Sequence, residues 1–171
     1  EIMAQSCNPG VIQIAQKLGA EKFYKYQKEF GFGQKTGIDL PGEAEGILHA
    51  ESQLRPVELA TSSFGQTFNC TSIQMATAFS ALINGGNLVR PYLVSQIVDD
   101  DGSVVKEQTA EVVRKVISRK TSDYIRTALK ATVDHGTGKK IAIPGYSIGC
   151  KTGTAEQGKR DKKNWTLTHM A

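Results

Sequence analysis

Residues 146–157 have the sequence Tyr146-Ser147-Ile148-Gly149-Cys150-Lys151-Thr152-Gly153-Thr154-Ala155-Glu156-Gln157, which predicts a strand at the edge of a sheet. Small or apolar residues lead into Lys151, and hydroxyl residues and a glycine follow it. Gly153 lets another backbone approach where a Cβ would collide. Lys151 adds a positive charge, and Thr152 and Thr154 add hydroxyl donors. This combination suits an extended peptide that ends in a carboxylate and adds to the sheet edge as a further strand.

The triplet Lys-Thr-Gly occurs twice in the chain, so it does not identify a site by itself. The other copy, Lys35-Thr36-Gly37, lies between glycines and the Pro41-Gly42 turn, with no run of strand-forming residues before it. This pattern indicates a loop, and we expect Lys35 to be a solvated loop lysine. Lys151 has a similar alternative interpretation, as a surface lysine on a strand. Evidence from other parts of the chain is needed to choose between this interpretation and a substrate-binding lysine.

Composition and charge fit one soluble globular domain. Of the 171 residues, 39% are hydrophobic and 22% are charged, enough for a sizeable core. The net charge of +4 comes from 21 Lys and Arg against 17 Asp and Glu, too small an excess to indicate a nucleic-acid-binding protein. Three cysteines and three histidines lack metal-ligand spacing, so we expect no disulfide framework, metal or other cofactor. Cys7, Cys70 and Cys150 are predicted to be small buried residues.

The pattern of apolar and turn residues predicts mainly helices followed by strands, which favours an α+β fold. Asn8 is the predicted N-cap of the first helix, with Pro9 at its first position and Gly19 at its end. Further helices are predicted at residues 21–30 and from Pro56. These elements account for the first third of the chain.

A hairpin and two more helices are predicted in the middle of the chain. Residues 99–102, Asp-Asp-Asp-Gly, mark the hairpin turn. Thr71 or Ser72 is the predicted cap of one helix, and Thr121 or Ser122 that of the other. The first of these helices is predicted to face the core with Ile73, Ala76, Phe79 and Ile83. The second is predicted to carry its apolar side on Ile125, Leu129 and Val133.

Ser6 and Asn8 place a hydroxyl and a carboxamide two positions apart at the mouth of the first helix. Such a turn can aim both side chains into one cleft. The alternative is that both residues only satisfy free N–H groups of the helix. The lysine-containing stretch around Lys151 is what makes a shared site the better interpretation.

Ser6-Cys7-Asn8 together with Lys151-Thr152-Gly153-Thr154 resembles two active-site motifs of penicillin-binding proteins and serine β-lactamases, S-x-N and K-T-G. Longer blocks are similar to the class B penicillin-binding proteins, namely residues 31–43, Gly65-Gln66, residues 71–78 and residues 84–86. The resemblance covers nearly the whole chain from Ser6 to Gln157. It implies part of the β-lactamase/transpeptidase-like fold, an antiparallel sheet flanked by helices, truncated at both ends.

The first motif of that family, S-x-x-K, carries the nucleophile, and the sequence matches it once, at Ser103 and Lys106. We reject Ser103 because it follows a hairpin turn and comes after the S-x-N element instead of before it. We therefore expect the nucleophile outside this sequence, upstream of Glu1. Residues 1–171 are then the C-terminal portion of a transpeptidase domain, without its last strand and helix. Such a chain is expected to be inactive alone, or to be paired with the missing N-terminal part or a companion fragment.

The resemblance implies a D,D-transpeptidase that cross-links peptidoglycan stem peptides by serine acyl transfer from D-Ala-D-Ala and is acylated by β-lactams. It implies Ser6 as a proton relay, Asn8 as the partner of the peptide amide, and Lys151 as the charge that acts on Ser6. It assigns substrate binding to Thr152, Gly153 and Thr154. It also implies work at the extracytoplasmic face of the bacterial membrane, with an N-terminal tether. Cys150 departs from the family pattern, which has glycine or another very small residue there.

Two other interpretations remain open. A D,D-carboxypeptidase or a β-lactam sensor domain would carry the same short motifs, but the loop Gly37-Ile38-Asp39-Leu40-Pro41-Gly42-Glu43 argues against it. A noncatalytic scaffold domain of the division or elongation machinery would also retain this sequence. Its mark would be a replaced nucleophile in the whole protein.

Overall fold

The computed structural model describes residues 1–156 and 167–170, with side chains for residues 1–153. The chain divides into two compact units. Unit 1 comprises Glu1–Tyr24, His49–Phe68 and the C-terminal stretch from Tyr124, and unit 2 comprises Lys25–Leu48 and Asn69–Asp123. The candidate site residues belong to unit 1.

The described residues form helices and short strands. The helices are α1 (Asn8–Leu18), α2 (Ala20–Glu29), α3 (Pro56–Ser63), α4 (Ser72–Ile83) and α5 (Arg119–His135), with 3-10 turns at Glu51–Gln53 and Lys139–Ile141. The strands are β1 (Asn87–Val89), β2 (Gln96–Val98), β3 (Val104–Glu107), β4 (Val112–Lys115), β5 (Gly153–Glu156) and β6 (Leu167–Met170). None of the helices in this part of the chain has the length and apolarity needed to cross a bilayer.

The strands pair antiparallel as β1 with β4, β2 with β3 and β5 with β6. The β2–β3 hairpin turns at residues 99–102, as predicted. Helices and antiparallel strands together confirm the α+β prediction.

Helix α1 starts differently from the prediction. Cys7 is its N-cap, without a side-chain cap hydrogen bond, and Asn8 is the first helical residue. The helix is entered from a tight turn in which the N–H groups of Ser6 and Cys7 donate to the carbonyls of Met3 and Ile2. These hydrogen bonds fix the turn, which places Cys7 at the cap position and Asn8 in the first turn of the helix. Gly19 ends the helix at φ 84°, as predicted.

Helix α4 buries a different face from the predicted one. Its buried residues are Gln74, Thr77, Ala78 and Ala81, whereas Ala76 and Ile83 are exposed. Gln74 is 1% exposed; its amide donates to the carbonyls of Gln34 and Glu45 at 2.7 and 2.9 Å, and its Oε1 accepts the Thr71 N–H. A polar side chain can occupy a core position when its hydrogen bonds are satisfied, and apolar periodicity does not detect this. Thr71 caps the helix, as one of the two predicted residues.

Helix α5 begins earlier than predicted, at Arg119, and Ser118 takes the capping role because its Oγ accepts the Thr121 N–H at 3.1 Å. Ser122 is fully buried instead; it donates to the Leu82 carbonyl at 2.7 Å and accepts the Gly85 N–H. The predicted apolar side is correct for its later turns, where Leu129 and Val133 are buried.

The strand predicted over residues 146–157 is shorter in the structure. It begins at Gly153, so Lys151 and Thr152 lie just before the ladder. The preceding loop leans on α5, where the Cys150 N–H donates to the Leu129 carbonyl at 3.3 Å. A Cβ on Gly149 would be 3.0 Å from the Leu129 Cβ. Packing against α5 therefore directs this loop before the strand begins.

Candidate active site

Ser6 is held in a strained backbone conformation. Its φ of 53° makes it the single non-glycine residue at positive φ among the described residues. This left-handed conformation costs an L-residue roughly 1–2 kcal/mol, and such strain is concentrated at functional sites. The turn that enters α1 provides the compensating backbone hydrogen bonds. The strain places a half-buried hydroxyl at the mouth of the helix.

Lys151 joins the two motifs across 145 positions of sequence. Its Nζ donates to Ser6 Oγ at 2.8 Å and to the Thr152 carbonyl at 2.7 Å. Thr152 Oγ1 lies 3.4 Å from the same nitrogen. The structure therefore brings a serine hydroxyl, an ammonium and a threonine hydroxyl into direct contact.

These groups line one cleft of about 1240 Å³ in unit 1. Ser6, Asn8, Lys151, Thr152 and Gly153 all contribute to its wall. The Asn8 side chain is exposed there and has no hydrogen-bond partner among the described residues. The apolar part of the wall is formed by Ile2, Met3, Val11, Ile14, Phe64, Tyr124, Ile125 and Ala128. The cleft combines polar groups on one side with apolar surface, which is typical of a ligand site.

Thr154 was also predicted to bind substrate. Its backbone lies in β5 opposite His169 of β6. Its side chain is outside the described part of the structure, so the hydroxyl of Thr154 stays a prediction.

Partial desolvation lowers the pKa of the Lys151 ammonium, and the neighbouring Cys150 thiol opposes this shift. No carboxylate of residues 1–153 forms an ion pair with this lysine. A cation in contact with neutral hydrogen-bond partners retains attraction for an anion that enters the cleft.

The prediction that all three cysteines are buried is wrong. Cys7 is exposed because it caps α1 at the surface, and Cys70 and Cys150 are half-buried. Burial raises the pKa of the Cys70 thiol. Within the described residues, no group of three or more His, Cys, Asp or Glu side chains could hold a metal ion.

The first Lys-Thr-Gly triplet lies in a loop of unit 2, as predicted, and Lys35 is exposed. Its Thr36 and Gly37 bind a carboxylate of the chain itself. Glu43 Oε1 accepts the Thr36 N–H and hydroxyl at 2.6 Å each, and Oε2 accepts the Gly37 N–H at 3.0 Å. Turn chemistry alone did not predict this contact. The sequence signal for this contact was Glu43, the acidic residue at the end of the same glycine-rich loop.

Two further hydroxyl residues, Ser103 and Thr137, differ in their relation to the candidate site. Ser103 is exposed in the β2–β3 turn, where its N–H donates to Asp99 and Asp101, in agreement with its rejection as a nucleophile. Sequence patterns did not single out Thr137, whose hydroxyl lies 3.2 Å from that of Thr152. A hydroxyl between two glycines directly after a helix was the available signal.

The family model for the penicillin-binding protein transpeptidase domain matches residues 1–170. The chain belongs to this family. Stage V sporulation protein D of Bacillus subtilis is 47% identical over 163 residues, which are 95% of this chain and 25% of that protein. Penicillin-binding protein PbpB of Mycolicibacterium smegmatis is 34% identical over 91% of this chain and 25% of its own length. The chain spans about a quarter of these relatives. The predicted class B resemblance is confirmed.

Solved transpeptidase-domain structures have the same fold. Penicillin-binding protein 3 of Mycobacterium tuberculosis, in complex with ampicillin, superposes with a TM-score of 0.87 at 31% identity, over 96% of this chain and 38% of that one. The D,D-transpeptidase domain from Eggerthella lenta gives a TM-score of 0.85 at 28% identity, over 92% of this chain and 41% of that one. These structures confirm the predicted β-lactamase/transpeptidase-like fold.

Proposed function

We propose that this transpeptidase-family chain supplies part of the active site of a peptidoglycan D,D-transpeptidase. The observation that carries the proposal is the 2.8 Å hydrogen bond from Lys151 Nζ to Ser6 Oγ, which joins the S-x-N and K-T-G motifs in one cleft. The names of relatives support it, among them the probable peptidoglycan D,D-transpeptidase PenA of Neisseria meningitidis, 34% identical over 91% of this chain.

The proposed reaction is acyl transfer through a serine that lies outside these 171 residues. That serine attacks the carbonyl between the two D-alanines of a stem peptide, the C–N bond breaks, and the terminal D-alanine leaves. A base beside that serine takes its hydroxyl proton, and Ser6 relays a proton from that site to the leaving amine. The amine of a second stem peptide then attacks the ester, which forms the cross-link and frees the serine.

The chain's own groups have separate tasks in this scheme. Lys151 stabilises the Ser6 hydroxyl in its acceptor orientation and attracts the substrate carboxylate. The Thr152 hydroxyl, and that of Thr154, donate to the same carboxylate. Asn8, exposed in the cleft, binds the amide of the bound peptide. A backbone N–H of β5 contributes to the oxyanion hole, an interaction worth about 3 kcal/mol of barrier in other acyl-transfer enzymes.

β-Lactams would enter the same scheme as acylating agents. Their ring carbonyl takes the place of the peptide carbonyl, and their carboxylate takes the place of the terminal one. The Mycobacterium tuberculosis relative was solved with ampicillin and with aztreonam. We further propose that the whole protein works on the outer side of the cytoplasmic membrane, held by a segment outside this sequence.

Fluorescent penicillin labelling of the whole natural protein tests the proposal. The two lysine triplets supply a matched pair of variants, Lys151→Ala and Lys35→Ala. We expect labelling of the wild type and of Lys35→Ala, and loss of labelling in Lys151→Ala. We expect no labelling of the 171-residue chain alone.

Two results would count against this assignment. Equal loss of labelling in the two variants would show that Lys151 has no special role. An unlabelled wild type with a correctly folded domain would favour the scaffold interpretation. Product analysis with a stem-peptide donor and an amine acceptor separates a transpeptidase, which forms the cross-link, from a carboxypeptidase, which releases the hydrolysed peptide.

A further inference from the structure

The loop directly after α5, residues 136–138, contacts the segment before Ser6 and the motif that contains Lys151. The Thr137 N–H donates to the Ala4 carbonyl at 2.9 Å, two residues before Ser6. The Thr137 hydroxyl lies 3.2 Å from the Thr152 hydroxyl. One residue therefore connects the segment that carries Ser6 with the segment that carries Lys151.

The two glycines of this loop allow the close approach. A Cβ on Gly136 would collide with the Ala4 carbonyl oxygen, and a Cβ on Gly138 would collide with the Cys150 sulfur. The N–H groups of both glycines donate to the carbonyl of Thr132, a fully buried residue of α5. The loop is thus anchored to the helix while its middle residue faces the site.

The hydrogen-bond capacity of Thr152 gives this contact a direction. A hydroxyl has one proton and two acceptor positions. The Lys151 ammonium, 3.4 Å away, can only donate. If Thr137 also donates, both acceptor positions of Thr152 are occupied and its own proton points away from both neighbours. Thr152 lines the cleft, so that proton is directed to a ligand in the cleft.

We propose that Thr137 is a positioning residue that holds the Thr152 hydroxyl as a donor to the substrate carboxylate. The inference rests on the proposed function, because it concerns binding of the same carboxylate. Thr137 acts through Thr152 and does not itself bind the substrate. A bound carboxylate favours the orientation in which the Thr137 hydroxyl donates to the Thr152 hydroxyl. A ligand without a carboxylate gains no binding energy from this orientation.

The test compares benzylpenicillin with its methyl ester on the whole protein. Thr137→Val retains the backbone N–H and the shape of the side chain but removes the hydroxyl. We expect it to slow acylation by benzylpenicillin about fivefold, the factor that one neutral hydrogen bond is worth, and to leave the ester unchanged. Thr137→Ser should restore the wild-type ratio of the two rates. Thr109→Val, at an exposed position of unit 2, is the matched surface control.

The ratio of the acylation rates with benzylpenicillin and with its methyl ester distinguishes a positioning role of Thr137 from a purely structural one. Equal slowing with both compounds, or no change in Thr137→Val, overturns the inference. If neither compound acylates the wild type, the proposed function is wrong. The role of Thr137 in carboxylate binding is then tested by a direct binding measurement. In NMR titrations, Thr137→Val should bind N-acetyl-D-alanine more weakly than the wild type does. Its affinity for the amide of N-acetyl-D-alanine should equal that of the wild type. Equal affinities for the acid in wild type and variant, or no binding of the acid by the wild type, overturn the inference.

Discussion

The two Lys-Thr-Gly triplets have the same sequence and different surroundings. In unit 2, the donors of Thr36 and Gly37 are occupied by the Glu43 carboxylate. In unit 1, Lys151 and Thr152 face a cleft, and within residues 1–153 the partners of Lys151 are a serine hydroxyl and neutral groups of Thr152. The unit 2 triplet shows what this sequence can bind, which is a carboxylate. The unit 1 triplet presents similar groups to a cleft.

The two triplets also differ in the pKa shifts of their charged groups. Desolvation acts to raise the pKa of Glu43, but the hydrogen bonds from Thr36 and Gly37 and the nearby Lys35 charge outweigh it, and the net pKa is lowered. At Lys151, desolvation lowers the pKa of the ammonium and no carboxylate of residues 1–153 offsets it. The first triplet is therefore satisfied by the fold, and the second gains from an incoming anion.

The rest of the unit 2 loop has the same structural character. The Asp39 carboxylate accepts the N–H groups of Leu93 and Val94 at 2.8 and 2.9 Å. These backbone hydrogen bonds lower the pKa of Asp39. Glu43 thus closes the loop on itself, and Asp39 ties the loop to the segment at Leu93 and Val94. This loop is one of the blocks in which the sequence resembles class B proteins, and both of its carboxylates make structural contacts.

The largest effect that separates the triplets is expected at Ser6, the partner of Lys151. Ser6→Ala should lower the rate of β-lactam acylation of the whole protein on the order of 100-fold, because a proton relay is lost. Ser6→Gly should lower it equally, yet should be more stable than Ser6→Ala by about 1 kcal/mol, since glycine adopts positive φ without strain. Stopped-flow acylation and urea unfolding measure the two quantities.

Thr36→Ala is the control for that result, because it changes a hydroxyl of the other triplet. It should leave acylation unchanged. Acylation of Ser6→Ala at the wild-type rate would remove Ser6 from the mechanism, and Ser6→Gly no more stable than Ser6→Ala would contradict the strain at this residue.

The next effect concerns the carboxylate of the unit 2 triplet. Glu43→Ala should lower the free energy of unfolding by about 1–2 kcal/mol, after allowance for solvent screening, because Thr36 and Gly37 lose a charged acceptor. Lys151→Ala should change stability far less, since no carboxylate of residues 1–153 forms an ion pair with this lysine. Urea unfolding of the two variants compares the triplets directly. A Glu43→Ala variant as stable as wild type would mean that the unit 2 triplet does not depend on its carboxylate.

Sequence reasoning paired Ser6 with Lys151, which the structure brings into contact, but did not find the contacts that hold the surrounding fold. Ser6 and Lys151 were found because two short motifs in the right order imply a shared cleft. Gln74 was missed because its burial depends on carbonyls of Gln34 and Glu45, which only the folded chain brings to it. Local patterns contain no information about such distant partners.

The same limit explains the errors near the site. Residues 146–152 have strand-like composition, but packing of Gly149 and Cys150 on α5 keeps them out of the ladder. The N-cap was assigned to Asn8 because asparagine favours that position, whereas the preceding turn makes Cys7 the cap. In both places tertiary contacts outweigh local preference.

A smaller effect is expected from pH. Because the folded-state pKa of Glu43 is lowered, its stabilisation is complete above its ordinary pKa of 4.5 and is lost as pH falls through the folded value. The stability difference between wild type and Glu43→Gln should therefore shrink between neutral pH and about pH 3. Urea unfolding over this range measures it, with Lys151→Ala as the variant that should show no such change. A difference that grows on acidification would contradict the assignment.

The smallest effect, and the one that tests the charge of Lys151, is the alkaline limit of acylation. Carboxylate binding needs the protonated ammonium, so acylation should fall as pH rises through its pKa. Because partial desolvation lowers that pKa, the fall should come below the 10.5 of an ordinary lysine. Lys151→Arg keeps its charge to higher pH, so any residual acylation in that variant should extend further into the alkaline range. A rate that instead rises through this range would show that Lys151 acts as a neutral base on Ser6. The two triplets would then be alike in binding a carboxylate through their other groups, but not through their lysines.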